Sequence, residues 1–199
     1  MLLHKILENK SIILGSASPR RRVLLEGTAL KFTVDTENTF IEKYPQDMVL
    51  NKIPEYLAKG KSYGFHRQLA ENEILITADT MVFCNGMAIG KPKSREDAMA
   101  TLQRLQDNCH TVLTGVCIRS SRKFRSFTVS SNVFFGKITD EELNYYLDTF
   151  KPYDKAGAYG IQEWIGFIGI EKIEGSYFNV MGLPVQRLYK ELKEFAAEE

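Results

Sequence analysis

The order of apolar and polar positions along the chain predicts an alternation of short strands and helices. The run SIILG at 11–15 is a short apolar strand, and KFTVD at 31–35 alternates as a strand does. Between them Ser18 stands as an N-cap and Pro19 as the first helical residue, where a fixed φ and a missing N–H cost nothing. Val23, Leu24 and Leu25 open the apolar face of that helix. A second helix is predicted from about Ile53 to Leu69, with Pro54 at its start and Gly60 and Gly64 weakening it. EILITAD at 73–79 reads as a buried strand, and TMVFCNGMAIG at 80–90 as a hairpin about Asn85-Gly86. Ser94 followed by Asp97 opens the helix SREDAMATLQRLQ in the manner of a capping box. Two long strands follow at 110–120 and 123–136, and Thr139 with Glu142 caps the helix TDEELNYYLDTF. A glycine- and aromatic-rich loop, YDKAGAYGIQEWIGFIG, comes next. Pro184 then starts a helix with Val185, Leu188, Leu192 and Phe195 on one face. This succession predicts an α/β protein with a mixed sheet, not a strictly alternating doubly wound one.

A chain of 199 residues suffices for one large domain or two intimate lobes. Its 44% hydrophobic and 26% charged residues are those of a soluble globular protein. The 26 Lys+Arg stand against 25 Asp+Glu, so the basic surplus of a general nucleic-acid binder is missing and any anion site must be local. Cys84, Cys109 and Cys117 are odd in number and lack C-x-x-C spacing. They predict reduced, mostly buried thiols, not a disulfide frame or a zinc site. The N-terminal apolar run is too short for a signal peptide, and no segment approaches ~18 apolar residues. A cytoplasmic protein is expected.

Chemistry gathers at four separated places. Arg20, Arg21 and Arg22 fall in a helix's first turn, where each cation costs roughly 0.3–1 kcal/mol if exposed. An anion bound there would offset that cost, and a solvated arginine cluster is the other reading. On the dipole argument alone, removing Arg20 or Arg21 leaves the unliganded protein no less stable. Asp79 ends the run ILITA, so a buried strand delivers it to the sheet's edge, where α/β sites form; an aspartate bonded within a turn is the alternative. GMAIGKPKS has neither the glycine spacing nor the hydroxyl of a P-loop. There, Lys91 is either held in a rigid turn by Pro92 or simply solvated. Asp154, Lys155 and Gln162 lie among glycines that allow close ligand approach or serve plain turns. Glu171, Glu174 and Asn179 stand beside another glycine pair. Cations plus a carboxylate suit a polyphosphate and a metal. Nucleophile-elbow, kinase and Rossmann signatures are absent from the sequence.

Taken together, LGSASPRRRVLL (14–25), ITADTMVF (76–83), GKPKSREDAMATLQRL (90–105), HTVLTGV (110–116), DKAGAYGIQ (154–162) and IEGSYFNVMGLP (173–184) resemble the Maf proteins. These are nucleoside triphosphate pyrophosphatases once named for septum formation. The resemblance implies a single Maf-like domain over 1–199, a two-lobed mixed β-sheet with flanking helices. Such a fold is related to the inosine triphosphate pyrophosphatases, with the active site in the cleft. It also implies hydrolysis of a nucleoside triphosphate to the monophosphate and pyrophosphate, assisted by Mg²⁺ or Mn²⁺. The roles it implies are Asp79 as catalytic base, and Ser16, Arg20 and Arg21 as phosphate contacts. Glu42, Lys61, Thr80, Lys91 and Gln162 would be further substrate-binding residues, and Asp79 with Glu42 the metal ligands. The chain departs from the family at TFIE (39–42), usually D-I-D-E, and at Lys61-Ser62, usually a K-A pair. YGIQ with the arginine pair and ADT resembles the branch preferring dTTP and UTP, where a second branch takes 7-methyl-GTP. Gln162 is then expected to set base preference, with Tyr159 and Trp164 limiting pocket size. The implied partner is a small-molecule nucleoside triphosphate, with no membrane and no stable nucleic acid, and the family suggests a homodimer. The rival from another class is a septum-associated, nucleotide-binding regulator that keeps the pocket without turnover.

Overall fold

In the computed structural model, which describes residues 2–198, the first elements are α1 (Leu3–Ile6), β1 (Ser11–Leu14), α2 (Pro19–Glu26), β2 (Phe32–Val34) and α3 (Ile53–Tyr63). Then come β3 (Glu73–Cys84), β4 (Met87–Ile89), α4 (Arg95–Leu105), β5 (Asn108–Arg119), β6 (Phe124–Phe135) and α5 (Asp140–Phe150). The chain finishes with α6 (Trp164–Gly169), β7 (Ile170–Glu174), α7 (Tyr177–Met181) and α8 (Val185–Ala197). The sheet runs β2-β1-β3-β5-β6-β7, with β4 paired to β3. β1 is parallel to β2 and β3, whereas β3–β4 and β6–β7 are antiparallel, so the sheet is mixed as expected.

The chain divides into two compact units. One takes the sequence up to Asp79, Thr114–Val129 and the residues from Gly182; the other takes Thr80–Leu113 and Ser130–Met181. In the first, Ile12, Ile13 and Leu14 of β1 are all buried, the continuous apolar run of a parallel strand covered on both faces. Ile13 and Leu75 pack with Phe65 and Leu69. α8 buries Leu188, Leu192 and Phe195, while Val185 is half-buried. In the second unit Val82, Leu102, Leu105, Tyr146, Leu147 and Tyr159 belong to one core. Complete burial of each such side chain contributes about 1.5–3 kcal/mol.

Several expectations need correcting. β3 does not stop at 79 but continues to Cys84, because its apolar pattern resumes at Val82 and the strand then forms the first arm of the hairpin. That hairpin turns at Asn85 (φ 51°) and Gly86 (φ 75°), the paired positive φ of a type I′ turn. The helix predicted to reach Leu69 ends at Tyr63 with Gly64 as its C-cap. The loop at 153–169 contains α6. Both caps form: Ser94 accepts from the Asp97 N–H, and Thr139 with Glu142 completes a capping box. All three cysteines are free, Cys84 and Cys117 buried and Cys109 half-buried, and burial raises the pKa of each. Among the described residues no helix is long and apolar enough to cross a membrane.

Candidate functional site

The turn from β1 into α2 is organised by Ser16, not Ser18. Ser18 occupies the N-cap position with extended backbone, yet its side chain makes no capping bond. Ser16 Oγ accepts instead from the Ser18 N–H at 3.3 Å and from Arg21 Nη1 at 3.2 Å. Arg21 Nε donates to Gly182 O at 2.8 Å, so two bonds hold its guanidinium against the turn preceding its helix. Arg22 pairs instead with Glu26 at 2.8 Å on the solvated surface. Val23 lies on that outer side too, 56% exposed, and only Leu24 and Leu25 of the expected apolar trio are buried.

Asp79 lies within an inner strand, beyond Ile76, the last β3 residue paired with β1. Residues two apart share a strand face, and Thr77 and Asp79 both meet α3. Thr77 Oγ1 donates to Ala58 O at 2.7 Å, and Lys61 Nζ donates to Asp79 Oδ1 at 2.6 Å. Ala58 and Lys61 are three apart, hence on one helix face. Lys61 Nζ also lies 3.0 Å from Glu42 Oε1, so one ammonium joins both carboxylates. Asp79 and Lys61 are largely buried there, with side chains 11% and 18% exposed, whereas that of Glu42 is 59% exposed.

The segment before Glu42 is seated on the end of α3. Asn38 donates to Lys61 O, and its Oδ1 accepts from the Phe40 N–H at 2.8 Å. The Thr39 N–H donates to Gly64 O at 2.8 Å. The Phe40 ring covers Gly60 so closely that a Cβ there would stand 2.2 Å from it, and a Cβ at Gly64 would stand 2.6 Å from Phe40 Cβ. The two glycines read as weak points of the helix are the seat of Phe40. Ser62, fully buried, receives Arg119: Nε donates to its Oγ at 2.9 Å and Nη2 to its carbonyl at 2.6 Å. Phe40 of TFIE and Ser62 beside Lys61 thus both take part in holding the helix end that carries Lys61.

Electrostatics draw these groups together. Burial lowers the pKa of the Arg21 guanidinium; Asp79 opposes the shift, Arg20 adds to it, and Glu42 opposes it. Arg20, Arg21, Lys61, Asp79 and Glu42 therefore form a charge cluster with one cation in excess, which suits a polyanion. Among the described residues no three His, Cys, Asp or Glu side chains are grouped to hold a metal ion. Asp79 and Glu42, gathered on one ammonium, are hard oxygen donors, and Mg²⁺ or Mn²⁺ is typically held by one or two carboxylates with substrate phosphates and water completing the shell. The donor set fits such an ion on those terms.

The second unit holds Thr80, Lys91 and Gln162. Thr80 is half-buried on β3, directly after Asp79. Lys91 is exposed in the turn between β4 and α4, and the carbonyl of its neighbour Gly90 accepts from the Gly157 N–H at 3.2 Å. Gln162 is half-buried, and its Oε1 is buried without a hydrogen-bond partner, an acceptor waiting for a donor. Tyr159 is committed to the core, 5% exposed with its hydroxyl 2.7 Å from His110 Nε2, and Trp164 packs edge-on against Tyr145 at 4.9 Å. Asn179 donates to Val112 O at 3.1 Å and Ser131 Oγ at 3.0 Å, a structural use. Glu174 pairs with Lys172, and Glu171 is exposed. Sequence reasoning missed Phe40, His110 and the ion pair Lys155–Glu163 at 3.0 Å. Phe40 stands within TFIE, His110 opens HTVLTGV and Lys155 lies in DKAGAYGIQ, but no local pattern gave any of them its observed partner.

The chain matches the family described as Maf-like protein over residues 11–195. It is similar to a dTTP/UTP pyrophosphatase of Parabacteroides distasonis, 52% identical over 189 residues that cover 95% of this chain and 98% of that protein. A dTTP/UTP pyrophosphatase of Phocaeicola vulgatus is 49% identical over 187 residues, covering 94% and 97%. Among solved structures it is similar to a nucleoside-triphosphatase / dITP/XTP pyrophosphatase from Mycobacterium abscessus, at 10% identity and a TM-score of 0.41 over 94% of this chain and 97% of that one. At that score the likeness carries no assignment.

Proposed function

The chain belongs to the Maf-like protein family, and from that premise we propose that it hydrolyses dTTP and UTP to the monophosphate and pyrophosphate. The name shared by its relatives at 49–52% identity, over nearly the whole of both chains, supports the substrates. The observation that carries the chemistry is Lys61 holding Asp79 and Glu42 beside the arginine-led start of α2.

Asp79 accepts the proton of a water that attacks the α-phosphorus. A new O–P bond forms, the α–β anhydride bond breaks, and its electron pair leaves with pyrophosphate. Lys61 occupies one oxygen of the carboxylate and so orients it, leaving the second oxygen for water. Arg20, Arg21 and Lys61 neutralise charge that moves onto the departing group, where preorganised cations need no rearrangement during reaction. Ser16 keeps Arg21 in place. A divalent cation held by Asp79 and Glu42 would supply charge neutralisation at the phosphates. Gln162 offers its buried acceptor and its amide donors to the N3–H and O4 edge of uracil or thymine.

A panel of nucleotides incubated with Mg²⁺ or Mn²⁺, scored for pyrophosphate against orthophosphate, tests the reading. UTP and dTTP should outrun ATP and GTP, with pyrophosphate as the primary product. Orthophosphate as primary product rules out attack at the α-phosphorus. Preference for 7-methyl-GTP assigns the other branch, and UTP binding without turnover identifies a nucleotide-binding regulator.

A further inference from the structure

We propose that the buried network of Lys155, Glu163 and Tyr146 is the positioning device that fixes the depth of the Gln162 carboxamide and thereby excludes two-ring bases. The inference rests on the reading of Gln162 given above.

Lys155 is 8% exposed, and its Nζ stands 2.8 Å from Asp154 Oδ1 and 3.0 Å from Glu163 Oε1. Tyr146, fully buried on α5, donates its hydroxyl to Glu163 Oε2 and accepts from the Gly160 N–H at 3.0 Å. Each oxygen of one carboxylate therefore has its own partner, and the ion pair closes the loop from 155 to 163 at its two ends. Within the loop the Glu163 N–H donates to Gly160 O at 2.9 Å. A Cβ at Gly160 would stand 2.6 Å from the Glu163 carboxylate carbon, so a side chain there would have to displace that carboxylate from its partners. Gln162 sits between these two tied residues.

A buried ion pair is a poor way to gain stability, since packed apolar side chains of similar volume often do as well or better. What directional charges supply is a single arrangement. For base selection, position matters as much as chemistry. Uracil and thymine present N3–H and O4; guanine presents the same donor and acceptor order at N1–H and O6, but one ring further from the sugar. A carboxamide free to retreat would serve both, whereas one tied at fixed depth matches only the single ring. The buried, partnerless Oε1 of Gln162 is then left unsatisfied by a base it cannot meet, which is how polar sites reject poor fits.

The test compares kcat/KM for UTP and GTP in the wild type, Tyr146→Phe, Lys155→Met, Lys155→Arg and Gln162→Ala, alongside thermal melts. Tyr146→Phe keeps the ring and loses the hydroxyl; Lys155→Met keeps the length and loses the charge. Both should compress the UTP-to-GTP ratio by about tenfold or more, and Lys155→Arg should restore most of it. Glu163→Gln, isosteric with the native side chain, carries the same expectation if either truncation melts. A merely structural network lowers both nucleotides in parallel, and an unchanged ratio in folded variants overturns the proposal. If Gln162→Ala compresses the ratio while the network variants do not, the positioning role alone fails. If Gln162→Ala also leaves the ratio unchanged, the reading of Gln162 fails with it.

Discussion

Lys61 Nζ lies 2.6 Å from Asp79 Oδ1, which ties the last turn of α3 to an inner strand of the sheet. The carboxylate is held by a charge-assisted bond of the short, strong kind, so its orientation is set before any ligand arrives. Asp79→Asn keeps the shape and can still meet Lys61 through its amide oxygen, but it cannot take a proton. Turnover should fall about 10²–10⁴-fold with fold and nucleotide binding retained. Steady-state rates with a binding titration check both halves. A folded variant with near-normal turnover moves the base elsewhere, Glu42 first.

Gly60→Ala opposes two effects of known sign. Intrinsic helix propensity gains about 1 kcal/mol. The new methyl would meet the Phe40 ring at 2.2 Å, however, and overpacking typically costs about 1–3 kcal/mol. The second effect should win: a lower melting temperature and a kcat/KM reduced about tenfold, as the segment carrying Glu42 shifts. Because the cost is steric, Gly60→Ala in a Phe40→Ala background should add little, and the double-mutant cycle reads that coupling directly. Additive effects would detach Phe40 from Gly60.

How much of this was legible follows from where the information sits. The Asn85-Gly86 turn and the capping box at Thr139–Glu142 are local and formed where read, whereas periodicity placed the elements but not all their ends: α3 stops at Tyr63 and β3 runs on to Cys84. Gly60 and Gly64 were read by propensity alone, and their value lies in Phe40, whose ring lies on Gly60 and whose Cβ lies on Gly64. Ser18 had the right residue type for a cap, but Ser16 already receives both the Ser18 N–H and Arg21. Asp79 looked like a strand end because polarity usually ends an apolar run. An ammonium on α3 pairs that charge, and the strand runs on. The Lys155–Glu163 pair was invisible because no spacing distinguishes a buried ion pair from two solvated charges.

The arginines of α2 separate into different predictions. The dipole argument alone expects removal of Arg21 to leave the unliganded protein no less stable. Its bonds to Gly182 O and Ser16 Oγ reverse the sign. Arg21→Ala should cost about 1–2 kcal/mol without ligand, since the carbonyl of buried Gly182 and the hydroxyl of half-buried Ser16 lose a donor. Arg22, paired only with Glu26 on the surface, should change stability by less than about 0.5 kcal/mol as alanine. Chemical denaturation of the two variants without nucleotide decides it; equal losses would make Arg21 a surface residue in energetic terms.

His110 supplies a pH dependence remote from the phosphate chemistry. The ring is 1% exposed, stacked on Phe135 at 5.5 Å, with Nε2 on the Tyr159 hydroxyl and Nδ1 buried without a partner. Burial lowers its pKa from 6.5 to about 4, so the folded protein keeps it neutral where the unfolded chain protonates it. Between those values the unfolded state binds more protons, and stability therefore rises with pH. The contribution is complete above the unfolded value and is lost as pH falls toward the folded one, to a total of about 3 kcal/mol. Carboxylates held low by partners, Glu73 by Arg67 among them, add their own loss below the ordinary carboxylate range. His66, beside Asp35 and Glu37, is common to the wild type and a variant lacking the His110 imidazole, so the His110 share is read as the difference between those two proteins from about pH 6.5 to about pH 5. His110→Asn should be less stable near pH 7 because packing is lost, yet its stability should be flatter across that interval. Urea melts of both proteins at about pH 7 and about pH 5 measure the difference in slope. Parallel slopes would mean that another group titrates there and that His110 is only a packing residue behind the Tyr159 loop.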